Sequence, residues 1–453
     1  MPTDLRHPRR DFLKAGLGTG GALMIGGGGR LASAAESSGE NGSPNEKLNL
    51  AAIGTAARAA ADIAGCRSEN IVALCDIDAD SLEKAGQTYR QARRYEDFRV
   101  MLEKESERID GVIIGTPDHT HAPAAAMALR MGKPVYCEKP LTHTVYEARR
   151  LAELAAEHGC VTQMGNQIHS GDNYRRVVEI VESGTIGPVR EVHVWVGVDY
   201  AGGRLVTDRP RPRHVNWDLW LGPAEKRPYV EAEIRGTPET VHPFHWRWFW
   251  DFGTGGLGDF GCHYIDLAHW ALRLRHPTSI KASGPAVDPV ATTSGLVVEY
   301  DYPARDEWPP VRLTWYDGGK RPAILDGLRH PVSGEPLNWG SGQLFVGERG
   351  MVLSNYGNHV LIPNASADEL TPPEPYIPSS LGQHQEWIHA IKTDGQTTCN
   401  FDYAGALTEA VMLGVVAYRS GETLDWDGED FRLNNSQAAR DLLHKPYRQG
   451  WTL

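Results

Sequence analysis

The chain has 453 residues, too many for one ordinary core, and its net charge of −12 with no basic patch excludes nucleic acid as a partner. A hydrophobic content of 41% and a charged content of 23% are those of a soluble globular protein. Cys66, Cys75, Cys137, Cys160, Cys262 and Cys399 show no Cys-x-x-Cys and no paired Cys/His spacing. Neither a disulfide framework nor a metal site is expected, and the cysteines read as small buried apolar residues.

Residues 1–34 carry, in order, the parts of a twin-arginine export signal. These are Arg9-Arg10-Asp11-Phe12-Leu13-Lys14, a weakly apolar Gly-rich run from Ala15 to Ile25, and a small-residue cleavage site at Ala32-Ser33-Ala34. The run is too short and too glycine-rich for a stable membrane anchor, which takes about 20 apolar residues. The expected location is the periplasm; an ordinary basic N-terminus is the alternative. Residues 35–47 are a polar Gly/Ser/Pro-rich linker.

Leu48–Ile53 (LNLAAI) is a short apolar run that reads as a buried strand, ended by Gly54. An Ala-rich helix follows, then a strand at Ile71–Leu74 that runs into Cys75-Asp76. Gly54-Thr55-Ala56-Ala57-Arg58-Ala59 occupies the place of a Gly-x-Gly-x-x-Gly dinucleotide loop. Alanine at the third glycine position is tolerated, but the methyl of Ala56 at the second crowds the approach to a pyrophosphate. Asp76 stands about 20 residues beyond Gly54, where a carboxylate takes the adenosine ribose hydroxyls, and so favours NAD over NADP. Asp110–Gly115 is a third strand, with Thr116-Pro117-Asp118-His119-Thr120-His121 at its carboxyl end, where open α/β sheets bind ligands. A further strand enters Cys137-Glu138-Lys139-Pro140. A helix from Tyr146 to His158 and a strand from Cys160 to Met164 follow. Strands alternating with helices imply a Rossmann-type doubly wound parallel sheet.

Met164-Gly165-Asn166-Gln167 leaves the last of these strands toward the cleft, which makes Asn166 a candidate substrate contact. A helix at Tyr174–Ser183 and an alternating strand at Val189–Val198 open the second half. Trp217–Gly222 and Pro243–Trp250 are aromatic-rich loops. His245 and Trp248 are candidate substrate contacts, Trp248 as part of a sugar platform with Trp246 and Trp250; packing on the sheet is the plain alternative for any one of these rings. In Gly253–Trp270 (GTGGLGDFGCHYIDLAHW), Asp259, His263 and Asp266 fall at i, i+4 and i+7, on one face of a buried helix. Its glycines suit a close approach of backbone to a ligand. Strands are expected at Gly295–Tyr300, Val311–Tyr316, Gln343–Val346 and Met351–Ser354, and helices at Gln383–Lys392 and Tyr403–Ser420. Residues 317–341 form a Gly/Pro-rich insertion, expected at the cleft mouth or a subunit contact. A broad sheet with one helix-covered face favours a homodimer or homotetramer through the other.

The combination TPDHTH, CEKPL and GDFGCH resembles the Gfo/Idh/MocA family of oxidoreductases, from Leu48 onward. The resemblance implies an α/β chain with an N-terminal NAD(P)-binding Rossmann domain and a C-terminal α+β domain whose open sheet is mostly antiparallel. The expected division is signal 1–34, linker 35–47, NAD-binding domain 48–168, and substrate-binding and oligomerisation domain 169–453. By the same resemblance Lys139 reaches nicotinamide and substrate, Asp259 and His263 complete the catalytic set, and Thr116, Pro117 and His121 stand beside the nicotinamide. Gly54, Thr55, Ala56, Asp76 and Glu138 complete the expected cofactor contacts. Asp266 either holds His263 or only caps the network, and is kept as a candidate substrate contact.

Oxidising a secondary alcohol requires a base for the hydroxyl proton and a cation for the developing alkoxide, roles that suit His263 and Lys139. The first reading is therefore an exported oxidoreductase that moves a hydride between a ring carbon of a sugar or glycoside and a tightly held NAD. The second is a redox-neutral glycosidase or lyase acting by transient oxidation. The third is a sugar-binding protein whose cofactor site has decayed at Ala56 and Ala59.

Overall fold

The apolar runs of the first half assemble, in a computed structural model that describes residues 46–365 and 370–453, into a six-stranded parallel sheet. The expected export signal, and linker residues 35–45, lie outside the described residues. The strands are β1 (Asn49–Ile53), β2 (Asn70–Cys75), β3 (Arg93–Tyr95), β4 (Gly111–Ile114), β5 (Val135–Glu138) and β6 (Thr162–Gly165), in the order β3-β2-β1-β4-β5-β6. Helices α1 (Ala57–Gly65), α2 (Ala79–Thr88), α3 (Phe98–Glu105), α4 (Asp118–Arg130) and α5 (Val145–Glu157) connect them. Ala51, Ala52, Val112 and Ile113 are fully buried, so both faces of the central strands are covered. That explains why they read as unbroken apolar runs rather than alternating ones. A capping box of Thr144 and Glu147 fixes the start of α5, and the Asp78 carboxylate caps α2.

The second half begins with α6 (Asp172–Glu182), β7 (Val189–Trp195), β8 (Gly203–Val206), α7 (Trp217–Leu221), β9 (Glu231–Ile234) and β10 (Thr237–Glu239). Then come α8 (Gly255–Tyr264), α9 (Asp266–Ala271), β11 (Ser279–Ser283), β12 (Val297–Tyr302), β13 (Val311–Tyr316), β14 (Gly342–Gly347), β15 (Gly350–Ser354) and β16 (His359–Pro363). It closes with α10 (Gln383–Thr393), α11 (Phe401–Ser420), β17 (Leu424–Asp427), β18 (Arg432–Leu433) and α12 (Gln437–Leu443). Nine strands form one sheet in the order β16-β15-β14-β7-β13-β12-β11-β17-β18. Its pairings are antiparallel except that of β7 with β13. Strands β8, β9 and β10 form a small separate sheet. Helix α11 is buried on nearly every face, as its composition requires, and packs against α5 on one side and α8 on the other.

Two expectations change. The insertion at 317–341 contributes no residue to the cavity described below: its Leu325, Leu328 and Leu337 pack with Trp195, Leu344, Leu353 and Ile362, and most of its other residues are exposed. Register puts those sheet residues on the face opposite Val192, Val194 and Phe345, so the insertion covers half of the outer face from within the chain. The other half carries Glu299, Asp301 and Arg312, the last two paired. Secondly, the single helix expected through Asp259, His263 and Asp266 is two helices, α8 and α9, which meet at Ile265. The glycines of α8 serve helix packing: a Cβ on Gly261 would stand 2.8 Å from Val411 of α11.

Candidate active site

The carboxyl ends of β1, β2, β4 and β5 open onto a cavity of about 400 Å³, closed on its other side by residues of the second half. Gly54, where β1 turns into α1, has φ +88°, and a Cβ there would lie 2.9 Å from the carbonyl oxygen of Gly115. A Cβ on Gly115 would in turn stand 2.7 Å from Cβ of Ala59. The alanine at the third glycine position is thus accommodated by a glycine on the neighbouring strand, and helix and sheet keep their close approach. Ala56 caps α1 in extended backbone and lines the cavity; Ala57, the next residue, takes φ +49°. A left-handed alanine costs about 1–2 kcal/mol, so strain is concentrated in the loop that faces the cavity. The start of α1 points into the cavity, an arrangement suited to phosphate. The hydroxyl of Thr116, which also lines it, is buried with no partner among the described residues. A dinucleotide fits these residues. Gly54→Ala should therefore abolish nucleotide binding while leaving the second half folded, which nucleotide titration and near-ultraviolet circular dichroism would check.

The other expected cofactor residues fall into two sets. Thr55, Asp76, Pro117 and Glu138 line the cavity with Thr116. Asp76 Oδ2 accepts from the backbone N–H and hydroxyl of Thr55 (2.9 and 2.8 Å), and Oδ1 accepts from the Asp78 N–H (2.9 Å), so its carboxylate ties the loop to the end of β2. Glu138 accepts from Arg58 Nε at 3.1 Å, and Arg58 also pairs with Asp62 at 2.9 Å. Burial, with Asp62 nearby, pushes the Glu138 carboxyl up to about 7. His121 stands behind the wall: its ring nitrogens lie 2.8 Å from the carbonyl oxygens of Pro140 and Thr116, fastening the two backbone turns that border the cavity.

Lys139, Asp259 and His263 converge at the β5 end. Lys139 Nζ donates to Asp259 Oδ1 (2.7 Å) and to the Asp259 carbonyl oxygen (2.8 Å). Its third proton is left for the cavity it lines. Asp259 Oδ2 accepts from the Tyr200 hydroxyl at 2.7 Å and faces Arg247 Nε at 3.4 Å. Burial alone would raise this carboxyl, but the charges of Lys139 and Arg247 prevail and hold it well below the usual carboxylate range. His263 is oriented by Asn166 rather than by either aspartate. Asn166 Nδ2 donates to the Cys262 carbonyl oxygen (2.7 Å), which leaves Oδ1 to accept from His263 Nδ1 (2.7 Å). The proton is thereby fixed on Nδ1, and Nε2 presents a lone pair. Burial and the charge of Lys139 push the ring's pKa well down, so it is neutral.

Asp266 is fully buried away from the cavity, bound by His169 Nδ1 at 3.0 Å and the Tyr403 hydroxyl at 2.6 Å; it touches neither His263 nor the cavity. His245 is held at the surface by the Thr240 carbonyl oxygen (3.0 Å), and Trp248 packs on Tyr200 at 4.4 Å; neither lines the cavity. Both stand in a turn whose other members, Trp246 and Arg247, do line it. Sequence reasoning missed Tyr200, which carries no motif. It also gave no role to Asp118, although TPDHTH was in view.

Asp118 is fully buried, lines the cavity and accepts from the Thr254 hydroxyl at 3.0 Å. Burial, then the charge of Asp259, pushes its carboxyl up to about 7. Because this folded value lies above the ordinary 3.8, the folded state keeps a proton that the unfolded chain has released. The resulting stability is intact below pH 3.8 and is lost as pH rises to about 7, at about 1.4 kcal/mol per unit. Asp118→Asn should remove that slope, so denaturation at pH 5 and pH 8 should show the variant gaining on the wild type by on the order of a few kcal/mol.

Residues 48–166 match the family described as oxidoreductase family, NAD-binding Rossmann fold, and residues 173–453 match its C-terminal alpha/beta domain. The chain is 32% identical over 125 residues to an inositol 2-dehydrogenase of Salmonella typhimurium, covering 27% of this chain and 37% of that one. It is 31% identical over 118 residues to a D-xylose 1-dehydrogenase [NADP(+)] of Haloarcula marismortui, covering 26% and 31%. The chain thus spans about a third of the length of these curated relatives. Among solved structures, the WlbA dehydrogenase of Bordetella pertussis, in complex with NADH and UDP-GlcNAcA, shares the fold with a TM-score of 0.57 at 17% identity, over 84% of this chain and 99% of that one. The aldose-aldose oxidoreductase of Caulobacter crescentus does so with a TM-score of 0.55 at 18% identity, over 84% and 100%.

Proposed function

The chain belongs to the Gfo/Idh/MocA oxidoreductase family, and from that premise we propose that it is an exported oxidoreductase. It moves a hydride between a ring carbon of a sugar or glycoside and an NAD that it keeps bound. The observation that carries this reading is the convergence, on one cavity at the carboxyl ends of the Rossmann strands, of the Lys139–Asp259 pair with a His263 whose Nε2 lone pair is fixed by Asn166. A sugar hydroxyl placed between Lys139 Nζ and His263 Nε2 loses its proton to Nε2. The nearby ammonium stabilises the oxygen as its negative charge develops. Asp259 keeps Lys139 aimed, and Asn166 keeps the imidazole in the accepting tautomer. Bound nicotinamide would supply the hydride acceptor. Asp76 supports NAD over NADP, because a 2′-phosphate beside that carboxylate would be repelled.

Export rests on Arg9-Arg10 and the segment after it. The proposal includes the periplasm as location, the domain division at residues 34, 47 and 168, and a homodimer or homotetramer. Redox-neutral cleavage of a glycoside is a second reading, favoured by Asp118: a second carboxyl in the cavity that can hold a proton near neutral pH is suited to serve a leaving group. One experiment separates the readings. The purified protein is assayed for bound nucleotide and then incubated with a panel of sugars and glycosides. Reduced nicotinamide with a keto sugar supports the first reading, and released aglycone without net reduction supports the second. Absence of nucleotide, with no binding of added NAD, would sink both.

A further inference from the structure

Beyond the catalytic corner, the cavity runs across the sheet toward β3. That far end is lined by Ile77, Glu96, Asp97, Phe98, Leu219 and Trp451. Trp451 lies more than three hundred residues from Phe98 in sequence, yet their ring centroids are 5.8 Å apart. The indole is 8% exposed, and the Arg99 guanidinium lies 4.4 Å from its centroid. The segment that brings it there, residues 445–453, has no regular structure of its own. It is fastened at separate points instead. Tyr447 donates to Glu147 Oε1 (2.6 Å), Arg448 Nη1 pairs with Asp218 (2.8 Å), Arg99 donates to the Gly450 carbonyl oxygen (3.0 Å), and Arg130 donates to that of Leu453 (2.7 Å).

We propose that residues 445–453 are a clasp over the adenosine half of the cofactor cleft, with Trp451 and Phe98 as apolar walls for the adenine ring, and that this clasp keeps the nucleotide bound between turnovers. The inference rests on the NAD reading above and adds a means of retention to it. The chemistry at this end suits a neutral base. Two aromatic rings, inclined at 57° to each other, offer apolar contact. Glu96 and Asp97 would repel a phosphate but can accept from an exocyclic amine. The Arg99 charge is already paired with Asp97 at 2.7 Å. Strands β2 and β5 are three strand spacings apart, about 14 Å, which leaves room for the pyrophosphate at α1 between this end and Lys139. The contacts made by Gly450 and Leu453 are exposed and individually weak, so the end of the clasp that carries Trp451 can open for loading and then close on a base.

The test compares wild type, Trp451→Ala and Arg448→Gln, the last of which loosens the clasp without touching the cavity. Each protein is loaded with NAD, and release is followed by chase with excess isotopically labelled NAD. Both variants should release nucleotide roughly 10–100-fold faster than wild type, the loss expected for one stacking contact. Thermal unfolding without nucleotide controls for folding. Unchanged release in both variants overturns the clasp alone. A wild type that binds no NAD overturns the clasp and the reading it rests on.

Discussion

Lys139→Met should lower turnover with any oxidised sugar by roughly 10²–10³-fold, with most of the loss in kcat, because the ammonium acts on charge that develops only in the transition state. It should also destabilise the protein. Asp259 is fully buried, and its ionised form depends on Lys139 and Arg247. Removing one partner of a buried pair costs about 3–5 kcal/mol; here Arg247 and the Tyr200 hydroxyl remain, so the lower end is expected. Loss of Lys139 should also raise the Asp259 pKa from its depressed position. The wild type's contribution from this carboxylate is fully present above the ordinary value of 3.8 and is lost as pH falls toward its depressed pKa, so the stability gap between wild type and variant should be widest at neutral pH and narrow in acid. Denaturation at two pH values, together with steady-state kinetics, checks both halves of the prediction.

His263→Ala should be the more damaging change to chemistry, with turnover falling about 10²–10⁴-fold as the base is removed. Its effect on stability should be small by comparison. The ring is neutral, and among the described residues its one polar tie is to Asn166, whose own amide stays bonded to the Cys262 carbonyl oxygen. The wild-type rate should stay level down to acid pH, since burial holds the His263 pKa well below its ordinary value. Nucleotide release should be unaffected, because the residue lies at the far end of the cavity from Gly54 and Asp76. A variant that loses nucleotide as well would show that His263 is structural.

The first-half strands were legible because burial on both faces writes them as unbroken apolar runs between turn residues; β1, β4 and β5 are of this kind. Strand β3, Arg93-Arg94-Tyr95, has no such signal and is a strand only because it pairs with the edge of β2. Lys139, Asp259 and His263 were visible as a candidate trio because they stand in short local motifs. The supports of that trio were not. Tyr200 reaches Asp259 from a segment without regular structure, and Asn166 acts on His263 from a different domain, so neither relation has a sequence spacing. The i, i+4, i+7 pattern misassigned Asp266 because periodicity cannot register the break at Ile265, after which the side chain serves His169 and Tyr403. Ala59 read as damage because the residue that makes room for it, Gly115, lies at the end of another strand. The role of 317–341 was hidden for the same reason: its leucines find their partners on β14, β15 and β16.

The measurement that bears most directly on the account is label transfer from a perdeuterated sugar to bound nucleotide. Purified protein carrying NAD is mixed with the labelled sugar and quenched within a turnover, and the nucleotide is analysed by mass spectrometry. The account predicts deuterium on the nicotinamide, up to one atom per chain, with far less in His263→Ala. Bound nucleotide that stays unlabelled while the sugar is converted would contradict it.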